Sequence, residues 1–330
     1  MLNGAMTLCS QVAQAVLLSF IWAGDRLLNP LRSRIMGKLH AGSPRDGDVP
    51  RMQITQEALP GIFKASQPAL LCGFARNWEL FSLCTPDFLR TSLGEGIVTM
   101  LASSASGDDR GFLQETAKRV QMPGSEAIDM IFSEPKSDAR YYFWGISVKE
   151  LDTAFDASVG NYHWVRSATS IWVGQKGNFT RLHYDIFHGL LAQLTGRKRV
   201  VLFPPNESSN LYCDPLFSWR QRPPSKLPTD CLRTDKHLFP KFQNVRRYYE
   251  TVIGPGDVLY IPPLWWHEVE SLDISVSIPL RYSPHWSEVV RPNAFPFIIG
   301  GLKKSLHRGR KAVARMVEAH LLAKIQPTRH

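Results

Sequence analysis

Long apolar runs are scarce in this 330-residue chain, and paired cysteines are absent. Cys9, Cys72, Cys84, Cys213 and Cys231 stand apart with no repeated spacing. An odd, scattered set of thiols excludes a disulfide framework and a cysteine-built zinc module, and reads as the reduced thiols of an intracellular protein. The run Val16-Leu17-Leu18-Ser19-Phe20-Ile21-Trp22 falls short of the roughly 20 apolar residues that a membrane helix needs. Residues 1–24 carry no charged side chain, so the positive stretch that a secretory signal places ahead of its apolar core is missing. Positive charge comes after the run instead, at Arg26, Arg32, Arg34 and Lys38. A short anchor touching a membrane, an organelle-targeting segment and a helix docked on the domain all fit this start. The cytoplasm or nucleus is the expected location. Acids thin out at the other end: between Arg281 and His330 there are two, Glu288 and Glu318, against ten Lys or Arg. Most of the net charge of +10 therefore sits on the tail, which suits an acidic partner or nucleic acid and equally a solvated basic helix.

What is present is ordinary globular material, 44% hydrophobic and 21% charged, enough to bury a full core and to exclude wholesale disorder. Gly42, Ser43, Pro44, Gly47 and Pro50 give residues 41–51 a linker composition, so the expected division is 1–51 as N-terminal segment, 52–290 as the main domain and 291–330 as a basic tail. Within the domain, Gln67–Phe74, Ile97–Ala102, Asp138–Trp144, Tyr248–Ile253, Val258–Ile261 and Asp273–Ile278 read as strands. Thr85-Pro86 predicts a helix running to Leu93, with Thr85 as its cap and Pro86 at its first position. Pro279 cannot join a ladder, so the last strand is expected to end there. Leu302–Ile325 carries one apolar stripe and predicts a helix. Residues 206–247, rich in proline, form a long connection of the kind that is either a functional lid or disordered, and its place after the strand of Lys198 puts it near a barrel mouth.

One stretch organises the rest: Gly177-Asn178-Phe179-Thr180-Arg181-Leu182-His183-Tyr184-Asp185. On extended backbone His183 and Asp185 project to the same side and can grip one ion. A pair so spaced is expected about once by chance among 10 His and 29 acids, so its surroundings decide. Gly254-Pro255-Gly256-Asp257 turns into Val258-Leu259-Tyr260-Ile261-Pro262-Pro263 and then Trp265-Trp266-His267, which offers a third ligand. Two imidazoles and one carboxylate on one face of an ion are the ligand set of non-haem Fe(II) oxygenases. Lys198, fifteen residues after His183, alternates with Arg197 and Arg199 along Arg197-Lys198-Arg199-Val200-Val201-Leu202-Phe203. Arg197, Lys198 and Arg199 fit a solvent-facing basic edge, but beside the metal motif the inward reading is preferred, and a lysine turned inward among Val200 and Leu202 requires an anion.

These motifs, from Trp144 to Tyr282, resemble the JmjC or cupin-like oxygenases that use Fe(II) and 2-oxoglutarate, and most closely their small hydroxylase branch. That branch includes the factor-inhibiting-HIF asparaginyl hydroxylase and the tRNA wybutosine hydroxylase. The resemblance implies a mainly β fold, a double-stranded β-helix or jelly roll with flanking helices and a C-terminal helix. It implies Fe(II) held by His183, Asp185 and His267, with O2 as oxidant and 2-oxoglutarate bound by Lys198, Thr180 and Tyr142. Tyr141, one residue away, faces the other side and would replace Tyr142 on a register slip. Thr180 stands three before His183, the wrong parity for a regular strand, so a bulge is expected between them. At Gly189, relatives often carry an asparagine near the site, and that contact is missing here. The implied reaction is hydroxylation of a macromolecule, a protein side chain ahead of a tRNA base. A histone lysine demethylase ranks lower, because cysteine-rich chromatin-reading modules are absent and the metal carboxylate is aspartate. A catalytically silent cupin that binds a partner through its tail ranks last. Relatives dimerise through C-terminal helices, which makes Leu302–Ile325 an expected homodimer element.

Overall fold

The computed structural model describes residues 47–104, 118–133, 139–147, 157–165, 169–212, 225–227, 230–233, 235 and 237–284. The N-terminal apolar run, the helix expected at Leu302–Ile325 and the basic tail lie outside these residues. In chain order the strands are β1 (Gly47–Asp48), β2 (Arg51–Met52), β3 (Ala69–Leu71), β4 (Ile97–Ser104), β5 (Lys118–Pro123), β6 (Ala139–Ser147), β7 (His163–Trp164), β8 (Ser170–Gly174), β9 (Phe179–Tyr184), β10 (His188–Thr195), β11 (Lys198–Phe203), β12 (Tyr249–Ile253), β13 (Val258–Ile261), β14 (Trp266–Ser271) and β15 (Ser275–Ser283). They form two sheets. The smaller has the order β1-β12-β11-β14-β9; the larger runs β2-β3-β13-β10-β15-β8-β6-β4-β5, with β7 also on β15. Neighbours in these sheets are mostly non-consecutive in sequence, as in a jelly roll rather than a meander.

Alternation along each strand sorts side chains into layers. On β11, Val200 and Leu202 turn inward to meet Leu191, Leu259 and Ile261 of the larger sheet, while Val201 and Phe203 turn outward. On β15, Val276, Ile278, Leu280 and Tyr282 face out, under the helices Leu59–Ala65, Pro86–Leu93 and Gly124–Phe132, which cover the larger sheet through Leu59, Phe63, Leu89, Ala127, Ile128 and Ile131. Thr85 caps the second of these helices as its sequence predicts: its Oγ1 accepts from the Phe88 amide at 3.2 Å, with Pro86 opening the helix. Among the described residues no helix is long and apolar enough to cross a membrane.

Three expectations change. The smaller sheet takes in Gly47–Asp48, paired parallel with Tyr249–Glu250, although their composition reads as linker. A two-residue strand has no periodicity from which to be recognised. The strand at Ser275 does not end at Pro279 but continues to Ser283. Pro279 lies opposite Leu191 of β10, while on the other side β8 pairs only with Ser275–Ser277 and β7 only with Tyr282–Ser283. The proline nitrogen falls in that gap, where no ladder bond is forfeited.

The third concerns residues 206–247. Their described parts lean on the outer face of the smaller sheet, where Leu211, Leu227, Cys231 and Phe242 pack with Leu182, Tyr184, Val201, Phe203 and Trp266. Ser225 N donates to Leu182 O at 2.8 Å, and Trp266 Nε1 donates to Ser208 Oγ at 2.8 Å. This segment backs the two strands that carry the histidines; its described residues do not cover the pocket.

The turn from β10 to β11 is Gly196-Arg197, with Gly196 at φ +69°. A Cβ placed there would stand 2.1 Å from the carbonyl oxygen of Ile274. Gly196→Ala therefore combines left-handed strain with a backbone clash, and we expect a loss of about 2–4 kcal/mol in urea unfolding. An unchanged midpoint would show that the turn yields easily.

Candidate metal centre

His183 lies on β9 and His267 on β14, and the two residues stand directly opposite each other in the antiparallel ladder. Asp185 follows the end of β9. Between the pairs Thr180–Val269 and His183–His267, two residues of β9, Arg181 and Leu182, lie opposite the single residue Glu268 of β14. This is the bulge that parity predicts, and it lets Thr180 and His183 both line one pocket. The ligand atoms of His183, Asp185 and His267 lie within 4.8 Å of one another. The imidazole centroids are 4.2 Å apart.

Each imidazole is oriented from behind. His183 Nδ1 is 2.8 Å from Arg181 O, and His267 Nδ1 is 3.0 Å from Trp265 O. A carbonyl only accepts, so each Nδ1 carries a proton, and in the neutral ring that leaves the lone pair on Nε2. The turn before β14 holds Leu264 at φ +70°, buried, with its amide donating to Asp185 O at 2.7 Å. Left-handed backbone at a buried leucine is costly, and here it ties the approach to His267 onto the residue that carries the carboxylate. The three side chains fit a divalent transition ion: two neutral imidazole nitrogens and one carboxylate, converging from two neighbouring strands.

Behind His267, Glu268 points to the other face and accepts from the Cys231 amide at 3.1 Å. Burial pushes its carboxyl up to about 7, with the Cys231 amide pulling the other way. Glu268 thus anchors the 206–247 segment to the strand of His267.

The pocket opens to solvent and takes in about 590 Å³ of empty space, the solvent at its mouth included. Its walls include Trp172, Thr180, Phe187, Gly189, Leu191, Lys198, Ile261, Pro279 and Arg281 besides the three ligands. Lys198 is 3% exposed, and its Nζ donates to Ser277 Oγ at 2.7 Å across the two sheets. Burial pulls its ammonium down from 10.5 to about 7. The inward turn of Lys198 is therefore realised.

Tyr142, expected to hold 2-oxoglutarate, is not among the residues that line the pocket; its ring stands edge-on to Trp172, which is, with centroids 5.9 Å apart. Tyr141 packs instead with the outer core. Gly189 lines the pocket with no side chain to offer.

Local sequence pattern does not single out Arg281, yet it is 4% exposed in the pocket wall. Its signal is the alternation Ser275, Ser277, Pro279, Arg281, which becomes visible once the strand is carried through the proline.

A family described as cupin-like domain matches residues 56–287. The chain belongs to the cupin-like family. Among its relatives, JmjC domain-containing protein D of Dictyostelium discoideum is 44% identical over 112 residues, 32% of this chain and 23% of that protein. Jumonji C domain-containing protein 5 of Drosophila melanogaster is 26% identical over 246 residues, 70% of this chain and 59% of that protein. The zebrafish (Danio rerio) tRNA wybutosine-synthesizing protein 5 is 41% identical over 96 residues, 29% of this chain and 27% of that protein. The matched part of this cupin-like chain thus spans between about a quarter and three-fifths of these relatives' lengths.

Proposed function

We propose that this chain is an Fe(II)- and 2-oxoglutarate-dependent dioxygenase that hydroxylates a macromolecule, with a protein side chain as the favoured substrate. The carrying observation is a pocket that joins His183, Asp185 and His267 to a buried lysine. Bound iron would supply the oxygen chemistry: one atom of O2 enters a C–H bond of the substrate, and the other enters succinate as 2-oxoglutarate loses CO2.

The protein's own part is positioning. Arg181 O and Trp265 O would hold both imidazoles as Nδ1–H tautomers, so that Nε2 of each would be free to take a bound ion without prior reorganisation. Lys198 Nζ, at the foot of the pocket beside Ser277 Oγ, would take the distal carboxylate of 2-oxoglutarate in a charge-assisted bond. That anion repairs the cost of burying the ammonium. Thr180 Oγ1 would add a second contact, and Tyr142 would steady the wall from behind Trp172. Leu191, Ile261 and Val269 keep that end of the pocket apolar and limit its water.

Hydroxylation of a tRNA base is the second reading, favoured by the 41% identity to a relative named for wybutosine synthesis and by the basic tail. Pairing of two copies through Leu302–Ile325 belongs to either reading and would gather the basic residues of two tails on one assembly. Lysine demethylation ranks below both, although a relative in Arabidopsis thaliana, 35% identical over 112 residues, is named Lysine-specific demethylase JMJ30.

Anaerobic titration of the protein with Fe(II) and 2-oxoglutarate tests the reaction class. A weak visible charge-transfer band is expected; its absence would mark a silent binding module. Mass spectrometry of protein and tRNA from cells lacking the chain then separates the substrates, by which fraction loses a single added oxygen.

A further inference from the structure

Each of the three proposed ligands has a group behind it. For the histidines that group is main chain, the carbonyls of Arg181 and Trp265. For Asp185 it is a side chain: Arg281 Nε donates to Asp185 Oδ2 at 3.3 Å. We infer that Arg281 is a positioning residue of the metal centre, holding one carboxylate oxygen of Asp185 so that the other is presented to the ion. This rests on the metal reading proposed above and extends it to a residue of the opposite sheet.

Three observations carry it. Asp185 lies just past the end of β9, so the sheet ladder fixes its backbone less firmly than that of His183. A carboxylate there has rotamers to choose from, and a buried cation selects among them. Arg281 is itself held: it projects from the inner face of β15, its guanidinium carbon stands 5.7 Å from the Trp172 ring centroid, and its side chain is 5% exposed. A planar guanidinium laid against an indole keeps one orientation, which an ammonium on a flexible stem does not. Finally, the strand that brings Arg281 to Asp185 also brings Ser277 to Lys198, four residues earlier on the same face. One inner edge of β15 therefore reaches both ends of the pocket.

A positive charge near a divalent ion also repels it, so the two effects of Arg281 on metal affinity oppose each other. The carboxylate stands between the two cations and screens them, and partners that orient metal ligands typically contribute a factor of 10–100 in affinity. Positioning should therefore win.

The test measures binding of Mn(II), as a redox-stable stand-in for Fe(II), to the metal-free full chain by calorimetry without 2-oxoglutarate. Arg281→Met should weaken binding by at least about tenfold. Arg281→Lys, which keeps the charge but loses the planar donor, should fall between Arg281→Met and the parent. Trp172→Leu, which leaves Arg281 in place but removes its rest, should weaken binding by a smaller factor. Equal or tighter binding in Arg281→Met, with the parent binding normally, overturns the inference and leaves Arg281 as a counterion in the wall. If Arg281→Met does not fold, parent-like affinity in both Arg281→Lys and Trp172→Leu overturns it equally. A parent that binds no Mn(II) and no Fe(II) instead refutes the metal reading itself.

Discussion

Alanine at His183, Asp185 or His267 should each lower Fe(II) affinity by more than about a hundredfold and bring 2-oxoglutarate turnover to background, since losing a ligand outweighs losing its partner. The three variants should not be equally stable. His183→Ala and His267→Ala remove an imidazole from a site that water can enter. Asp185→Ala also takes a carboxylate from the buried Arg281, and breaking such a pair costs about 2 kcal/mol or more. Thermal unfolding of the metal-free variants should therefore rank Asp185→Ala lowest, and Asp185→Asn should recover part of the difference. Turnover that survives in all three would place the chemistry elsewhere in the chain.

Lys198→Met should do two things at once: stabilise the ligand-free protein and cripple its use of 2-oxoglutarate. Burial brings the folded-state ammonium down from 10.5 to about 7. At and below neutral pH the folded protein thus carries a buried charge whose removal is worth on the order of 2–4 kcal/mol, less the lost bond to Ser277. For a domain of this size that is roughly a 5–10 °C rise in melting temperature. The sign with pH follows from proton counts. Between about pH 7 and 10 the unfolded chain holds the lysine proton and the folded one releases it, so the parent gains stability as pH rises through this window. The Met variant should lack that slope. The 2-oxoglutarate requirement should rise by more than about tenfold, because one carboxylate of the cosubstrate is left without its cation, while Mn(II) affinity stays near the parent's. A destabilised Lys198→Met with unchanged 2-oxoglutarate demand would make Lys198 a structural residue.

Much of this site is written in local pattern. His183 and Asp185 are two apart, and the odd spacing of Thr180 foretells the bulge that the β9–β14 ladder contains. The inward face of β11 follows from alternation, since Val200 and Leu202 accompany Lys198 into the layer between the sheets. What local pattern does not carry is which ladder bonds a proline would forfeit. Pro279 ends a strand only if both neighbours need its nitrogen, and the gap between β8 and β7 is a fact of topology. Arg281 lies beyond that proline and was hidden with it. The place of residues 206–247 is likewise not periodic: it depends on single bonds such as Ser225 to Leu182 and Cys231 to Glu268, made between segments far apart in sequence.

The two polar ties across the sandwich, Lys198 to Ser277 and Arg281 to Asp185, have a consequence for admission to the pocket. Both cross from the smaller sheet to β15, and beneath them Val200, Leu202, Leu191 and Leu259 fill the space between the sheets. Such a layer is close-packed and does not hinge open to admit a bulky guest. The described walls of the pocket are therefore firm, and under the proposed reading adaptation would fall to the guest. A protein would have to offer its side chain from an extended or looped segment, and an RNA would have to arrive with its base already swung out of the stack. Under that reading, a folded helix or a stacked base would have to open locally before it could enter.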